Sequence, residues 1–413
     1  MNVNGIIAEY NPFHNGHKYH LEESRRLTGA DYTVAVMSGN FVQRGAPALV
    51  DKHLRTEMAL RCGADLVLEL PVLYATASSE YFAAGAVALL DKLGVVTHLC
   101  FGSECGDAGA LEQIASFLTD EPSWYSAALR ELLKQGLSYP DARARALSMD
   151  TDSCSSILSP PNNILGIDYI KNIIKRKSAM IPVTIKRTGA GYHDPQMTPA
   201  APGVPPVSAL AIRRALQEGC TAREIHAHMP LPAAELLESF LTRNRAVYAD
   251  HLSGILYYKL LTEQRKGYEA YLDVTRDLSN RIRGSLNRFT GFEDFCGLLK
   301  TKAFTHTRIS RCLLHILLGI QKEDMERGRD MDYTPYARVL GFRRSAAPLL
   351  ERIRACSSIP LVTRPANAAK SLPPEADRLW ELDILTSEIY KGAACEGTGR
   401  PALHEYSIPL VIL

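Results

Sequence analysis

The strongest constraint on this chain is the alternation, through its first hundred residues, of short apolar runs with helical patterns. "VNGIIAE" predicts a strand, Gly16 to Leu27 a helix stopped by Gly29, and "YTVAVM" a second strand. The next segments, "DKHLRTEMALRCG", "DLVLEL", "SSEYFAAGAVALLDKLG" and "THLCFG", predict helix, strand, helix and strand in turn, the third opened by Ser78 or Ser79. Strands joined by crossover helices run parallel, and their sheet is covered on both faces. The fold class is therefore α/β, with a parallel sheet. In such sheets ligands bind beyond the carboxyl ends of the strands. Three loops converge on that rim: "EYNPFHNGHKYH" (9–20), "MSGNFVQRG" (37–45) and "FGSE" (101–104).

Two helical stretches follow in 108–136. A further helix in "SPPNNILGIDYIKNIIKRK" is opened by Asn162 or Asn163, and "MIPVTIKR" predicts a fifth strand. Residues 188–208 are dense in glycine and proline and read as a long loop, a candidate lid, before the helix "SALAIRRALQEG". From about Cys220 the pattern is mainly helical, which divides the 413 residues into an α/β domain over 1–220 and a mainly α-helical domain over 221–413.

A formal net charge of +2 gives no global nucleic-acid signal, so any RNA surface has to be a local patch. Nine cysteines without a CxxC pair fit a reducing compartment. The N-terminus carries no signal-peptide pattern, and no apolar run reaches the roughly 18 residues of a membrane span. We expect a cytoplasmic protein with no membrane association; the oligomeric state is not readable.

The chemistry concentrates in 9–20. A strand entering a loop with Pro12, and a helix starting near Gly16, put free backbone N–H groups and a positive dipole end at the rim, an environment suited to an anion. His17 and His20 share a helix face, and His14 sits just before them. Imidazoles there can donate to phosphate oxygens and stabilise charge developing at phosphorus. A zinc site is the rival, but HExxH is absent, and no metal site with dedicated protein ligands is expected. A merely structural polar face is the third reading. Neither GxxxxGK[ST] nor GxGxxG follows a strand, so the phosphate binder is of another kind.

"HNGH" (14–17) resembles the HxGH signature of the HIGH superfamily of nucleotidyltransferases. Its context is more specific: "GIIAEYNPFHNGHKYH", "MSGNFVQRG", "FGSE", "PNNILGIDY", "IKRTGAGYHD" and "THTRISR" occur in the order and spacing of the tRNA(Met) cytidine acetate ligase family. The resemblance covers most of the chain and implies a Rossmann-like nucleotidyltransferase domain over 1–220. It implies that acetate attacks the α-phosphate of ATP to give acetyl-adenylate. The acetyl group then passes to N4 of the wobble cytidine of elongator tRNA(Met), giving N4-acetylcytidine without coenzyme A. In-line displacement of this kind needs positioning and charge stabilisation rather than a protein nucleophile.

By position in the matched motifs, the ATP contacts are Ile7, Ala8, Glu9, Tyr10, Asn11, Pro12, Phe13, His14, Asn15, Gly16, His17, Lys18, Tyr19 and His20, with Gly102, Asn162 and Arg187. His14 and His17 are the catalytic candidates. From the residues alone, Gly102 also reads as a strand-end turn and Asn162 as a helix N-cap. Lys52 and Arg55, on one face of the second helix, are further phosphate candidates, or a solvated face. Mg2+ is expected with ATP, bridging phosphates with much of its shell as water. "VSALAIR" (207–213) departs from the superfamily's second signature, because Leu210 stands where a hydroxyl residue is expected; Ser208 and Arg213 remain. Ala46 stands where an acidic residue is expected. His193 reads as a loop histidine or a base toward the cytidine amine.

Between Arg276 and Arg311, eight basic residues face three acids, with Phe289, Phe292, Phe295 and Phe304 interleaved. Arg281, Arg283, Lys300, Lys302, Arg308 and Arg311 are the candidate tRNA contacts, and the phenylalanines read as core. Two other functions remain open: a small-molecule adenylyltransferase of the same superfamily, and a non-catalytic RNA-binding protein retaining a nucleotide site.

Overall fold

The computed structural model describes residues 1–137, 139–148, 155–158, 160–187, 207–396, 401 and 403–413. Its centre is one sheet built from β1 (Val3–Ala8), β2 (Tyr32–Ser38), β5 (Leu66–Leu70), β6 (His98–Ser103), β7 (Ile181–Lys186), β8 (Ala337–Phe342), β9 (Leu361–Val362) and β10 (Val411–Ile412). The order is β10-β8-β5-β2-β1-β6-β7, with β9 beside β8. A separate hairpin pairs β3 (Phe41–Val42) with β4 (Ala46–Pro47).

The pairs β1–β2, β2–β5, β1–β6 and β6–β7 are all parallel, as crossover helices require. The helices are α1 (Asn15–Thr28), α2 (Lys52–Arg61), α3 (Ser79–Lys92) and α4 (Pro161–Arg176), followed by α5 (Ala209–Gln217). Alternate strand residues enter two cores: Val34, Val36, Leu66 and Leu68 face one, Ala35, Met37 and Val67 the other. Burial on both faces is why these strands read as continuous apolar runs rather than as alternations.

The sheet grows from β1 in both directions, toward β2 on one side and β6 on the other. A crevice therefore opens past the ends of β1 and β6, the switch point where open α/β sheets bind ligands.

Beyond residue 220 the chain is mostly helical, but three strands return to the sheet, where β8 pairs antiparallel with β5. Sequence periodicity did not place them: β8 is fixed by a partner some 270 residues away, and β9 and β10 are two-residue strands that pair only with β8, so little local signal marks them. The junction is sealed by buried charge: Lys52 Nζ lies 2.7 Å from Glu69 Oε1 and 2.9 Å from Glu405 Oε1, and Arg338 pairs with both carboxylates. Although burial alone would raise it, the neighbouring Lys52 charge, the His53 hydrogen bond and Arg338 hold the Glu405 carboxyl far below its usual range.

Candidate functional site: a nucleotide cavity at the sheet rim

The cavity begins where β1 ends. Tyr10 takes a positive φ of 48°, and the Asn11–Pro12 peptide is cis. Asn11 is fixed on both sides, its Oδ1 accepting from the Leu49 N–H at 2.8 Å and its carbonyl from Arg213 Nη1 at 2.5 Å. His14 then caps α1: its Nδ1 accepts from the Gly16 N–H at 3.0 Å, and His17 Nδ1 accepts from the His14 N–H at 3.2 Å. The two rings lie 3.8 Å apart between centroids.

These bonds decide the tautomers. A ring nitrogen that accepts a hydrogen bond carries no proton, so His14 and His17 hold theirs on Nε2 as donors. Burial, reinforced by Arg187 and Arg213, pushes the His14 pKa down to about 3. Burial and then His14, His20 and Arg187 lower His17 well below its usual value, and burial and Arg187 bring His20 to about 4. At neutral pH the site presents neutral N–H donors beside the guanidinium groups of Arg187 and Arg213. That combination stabilises negative charge developing on oxygen without a proton transfer.

The cavity, of about 260 Å³, is lined by two chemically different sets of side chains. His14, His17, His20, Arg187, Ser208 and Arg213 are polar; Phe82, Phe101, Leu165, Tyr169 and Ile185 are mostly apolar, and Gly102 and Asn162 line it with them. A purine matches the apolar set and a polyphosphate the polar one.

The HIGH Nucleotidyl Transferase family model matches residues 1–400. A tRNA(Met) cytidine acetate ligase of Acetivibrio thermocellus is 40% identical over 423 aligned positions, covering 100% of both chains. The chain belongs to the tRNA(Met) cytidine acetate ligase family. The apo crystal structure of Thermotoga maritima TmcAL superposes with a TM-score of 0.93 at 35% identity over 100% of each chain. A second structure of that protein, bound with alpha-thio ATP, gives 0.90 at 34% identity, again over 100% of each chain.

Of the positions that family resemblance singled out, Ile7, Ala8, Glu9, Tyr10, Asn11, His14, Gly16, His17, Tyr19, His20, Gly102, Asn162 and Arg187 line the cavity. Four do not. Phe13 is fully buried in the core under α1, and Pro12 is buried beside it. Asn15 Nδ2 donates to the Ala227 carbonyl at 2.9 Å, and Lys18 points outward toward Glu22. Successive residues of α1 fall on different sides of the helix, so a contiguous motif reaches beyond the cavity wall.

Gly102 lies within β6, paired with Ile185, and is not a turn; a Cβ there would stand 3.3 Å from Arg187 Cγ, so glycine keeps this wall thin. Asn162 is not an N-cap either. Helix α4 starts at Pro161, and its exposed N–H groups are satisfied by Glu104.

Lys52 and Arg55 are corrected as phosphate candidates. Both are fully buried, Lys52 in the carboxylate cluster described above. Arg55 donates to the carbonyls of Glu9 (2.6 Å), Ser38 (3.0 Å) and Val50 (3.1 Å), and to Gly39, bracing the cavity wall from behind. Ser208 and Arg213 of the departed second signature line the cavity with Leu210. Gln43 and Arg44, in the β3–β4 hairpin, line it as well and were not singled out. The only signal was their place in a rim loop. Ala46 lies on β4, beside that loop.

In the helical half, Phe292 and Phe295 are fully buried and Phe289 and Phe304 pack against the core. Arg281 donates to the carbonyls of Leu299 (2.8 Å) and Leu298 (3.1 Å). Arg308 lies over the Phe304 ring, 5.2 Å from its centroid, and Arg311 faces Asp273 at 3.7 Å. Arg283, Lys300 and Lys302 are exposed or half-exposed. His193 and most of the 188–208 loop lie outside the described residues. Among the described residues no group of three or more His, Cys, Asp or Glu could hold a metal ion, and no helix is long and apolar enough to cross a membrane.

Proposed function

We propose that this chain is an ATP-dependent acetate ligase acting on elongator tRNA(Met) in the cytoplasm. An acetate oxygen attacks the α-phosphorus of ATP, the bond to the bridging oxygen breaks, and pyrophosphate leaves. N4 of the wobble cytidine then attacks the acetyl carbonyl, AMP departs with the bonding electron pair, and the amine loses a proton. The observation that carries this reading is the pair of neutral imidazoles whose Nδ1 atoms are held by backbone N–H groups, which leaves both Nε2–H groups as donors on rings that line the cavity.

In this reading His14 and His17 donate to the α-phosphate oxygens as negative charge builds there, while Arg187 and Arg213 hold the charge that leaves with pyrophosphate. The apolar lining side chains seat adenine. Mg2+, when bound, neutralises phosphate charge; with Glu9 the single carboxylate among the described cavity-lining residues, the site fits an ion carried mainly by the nucleotide and water. Arg283, Lys300 and Lys302 contribute phosphate contacts to the tRNA, whose wobble base is already unpaired and needs only to be splayed into the cavity.

The test uses purified protein, magnesium ATP and labelled acetate, with and without unmodified elongator tRNA(Met), followed by nucleoside analysis. Label in N4-acetylcytidine, dependent on ATP and independent of coenzyme A, is the expected result. Acetyl-adenylate without an RNA product would overturn the assigned acceptor. Neither product would turn the reading toward a small-molecule adenylyltransferase.

A further inference from the structure

We propose that Glu104 sets the base specificity of the cavity by holding the Asn162 amide with its oxygen toward the purine, an inference that rests on the ATP reading above. Glu104 is the first residue beyond β6, and its carboxylate closes on the start of α4. Oε1 accepts from Asn162 Nδ2 at 2.6 Å and from the Asn162 N–H at 3.4 Å, while Oε2 accepts from the Asn163 N–H at 2.9 Å. The lock is reciprocal. Asn163, 1% exposed, returns its Oδ1 to the N–H groups of Glu104 (2.9 Å) and Cys105 (3.1 Å), and its Nδ2 donates to the Ile157 carbonyl at 3.0 Å.

An ionised carboxylate only accepts, so the Asn162 atom against it has to be the NH2 group. The amide orientation is thereby forced, and the oxygen is the end left for a ligand. Asn162, Leu165 and Tyr169 share one face of α4 and, with Phe101 and Ile185, line the cavity. An acceptor beside these apolar side chains pairs with the 6-amino group of adenine. The 6-oxo group of guanine would bring two acceptors together, with nothing to donate between them. Glu104 also occupies the N-terminus of α4, which leaves phosphate binding to the α1 end, where the histidines are.

The experiment measures equilibrium binding of ATP, GTP and purine riboside triphosphate, which lacks the 6-amino group, to the full chain and to Asn162→Ala, Glu104→Leu and Glu104→Gln. The unaltered protein is expected to prefer ATP over purine riboside triphosphate about tenfold, and over GTP by more. Asn162→Ala and Glu104→Leu bring the first ratio toward one, while Glu104→Gln, which keeps an acceptor oxygen for Asn162, retains most of it. A merely structural role predicts that all three nucleotides weaken in parallel; an unchanged ATP to purine riboside ratio in the Leu and Ala variants would overturn the proposal. Should leucine at 104 prevent folding, Glu104→Asp withdraws the carboxylate from Nδ2 and is read by the same ratio. Failure of the unaltered protein to bind any of the three would instead overturn the ATP reading, and this inference with it.

Discussion

The nucleotide cavity and the basic stretch from Arg276 to Arg311 both look cationic in the sequence, yet the fold uses their polar groups in opposite ways. In the cavity, backbone N–H groups hold Nδ1 of His14 and of His17, which leaves each of these rings one Nε2 donor. In the basic stretch, folding turns several charges to structural use: Arg281 serves the carbonyls of Leu298 and Leu299, Arg308 covers Phe304, and Arg311 faces Asp273. A site depends on which donor atoms remain after the fold has taken its share, and charge counted along a chain does not measure that.

The sharpest break of the comparison is His14→Ala or His17→Ala. Loss of one oxyanion donor is expected to slow acetyl-adenylate formation by about 10²–10³-fold. Retention of tRNA binding, checked by filter binding, would keep the two regions separate. A parallel loss of tRNA affinity would merge them.

The converse variant replaces Arg283, Lys300 and Lys302 together by alanine. It is expected to weaken tRNA binding about tenfold or more at fixed salt and to flatten the salt dependence by roughly one unit of slope for each phosphate no longer neutralised. Acetate-dependent ATP–pyrophosphate exchange should not change. An unaltered salt slope would remove these residues from the RNA surface.

Arg281→Ala sharpens the distinction inside the stretch. Because this exposed side chain serves two carbonyls, its removal is expected to cost about 0.5–1.5 kcal/mol of stability by denaturant unfolding. Its effect on the salt slope should be smaller than that of Arg283, Lys300 or Lys302.

The last comparison is the pH dependence of the cavity. His14 and His20 are held at about 3 and 4, below the value of about 6.5 expected in the unfolded chain. Between those limits the unfolded state binds more protons, so the stability present above about pH 6.5 is lost as pH falls toward 4. Thermal melting without nucleotide should show that loss. Saturating ATP should reduce the slope, since nearby phosphate favours protonated imidazole.

Much of the cavity was legible in advance, because its central elements are local. The HNGH segment, the glycine stop of α1 and the strand-to-helix order all lie within thirty residues, and each has a backbone reason. Lys52 and Arg55 misled for the opposite reason: helical spacing predicts a shared face, but only packing shows what covers it, here Glu69, Glu405 and four backbone carbonyls. Gln43 and Arg44 were missed because a short hairpin carries no periodicity from which a side chain's direction can be read.

By itself the sequence determined the parallel α/β core, the rim on which the chemistry sits and the motifs that tie the chain to its family, because hydrophobic period, caps and turn residues act over a few residues. The tertiary structure alone decided the return of β8–β10 to the sheet edge, the division of basic residues between carbonyls and solvent, and the Glu104 lock on Asn162. Each of those depends on atoms brought together across about sixty to several hundred residues, or on burial that no local pattern records.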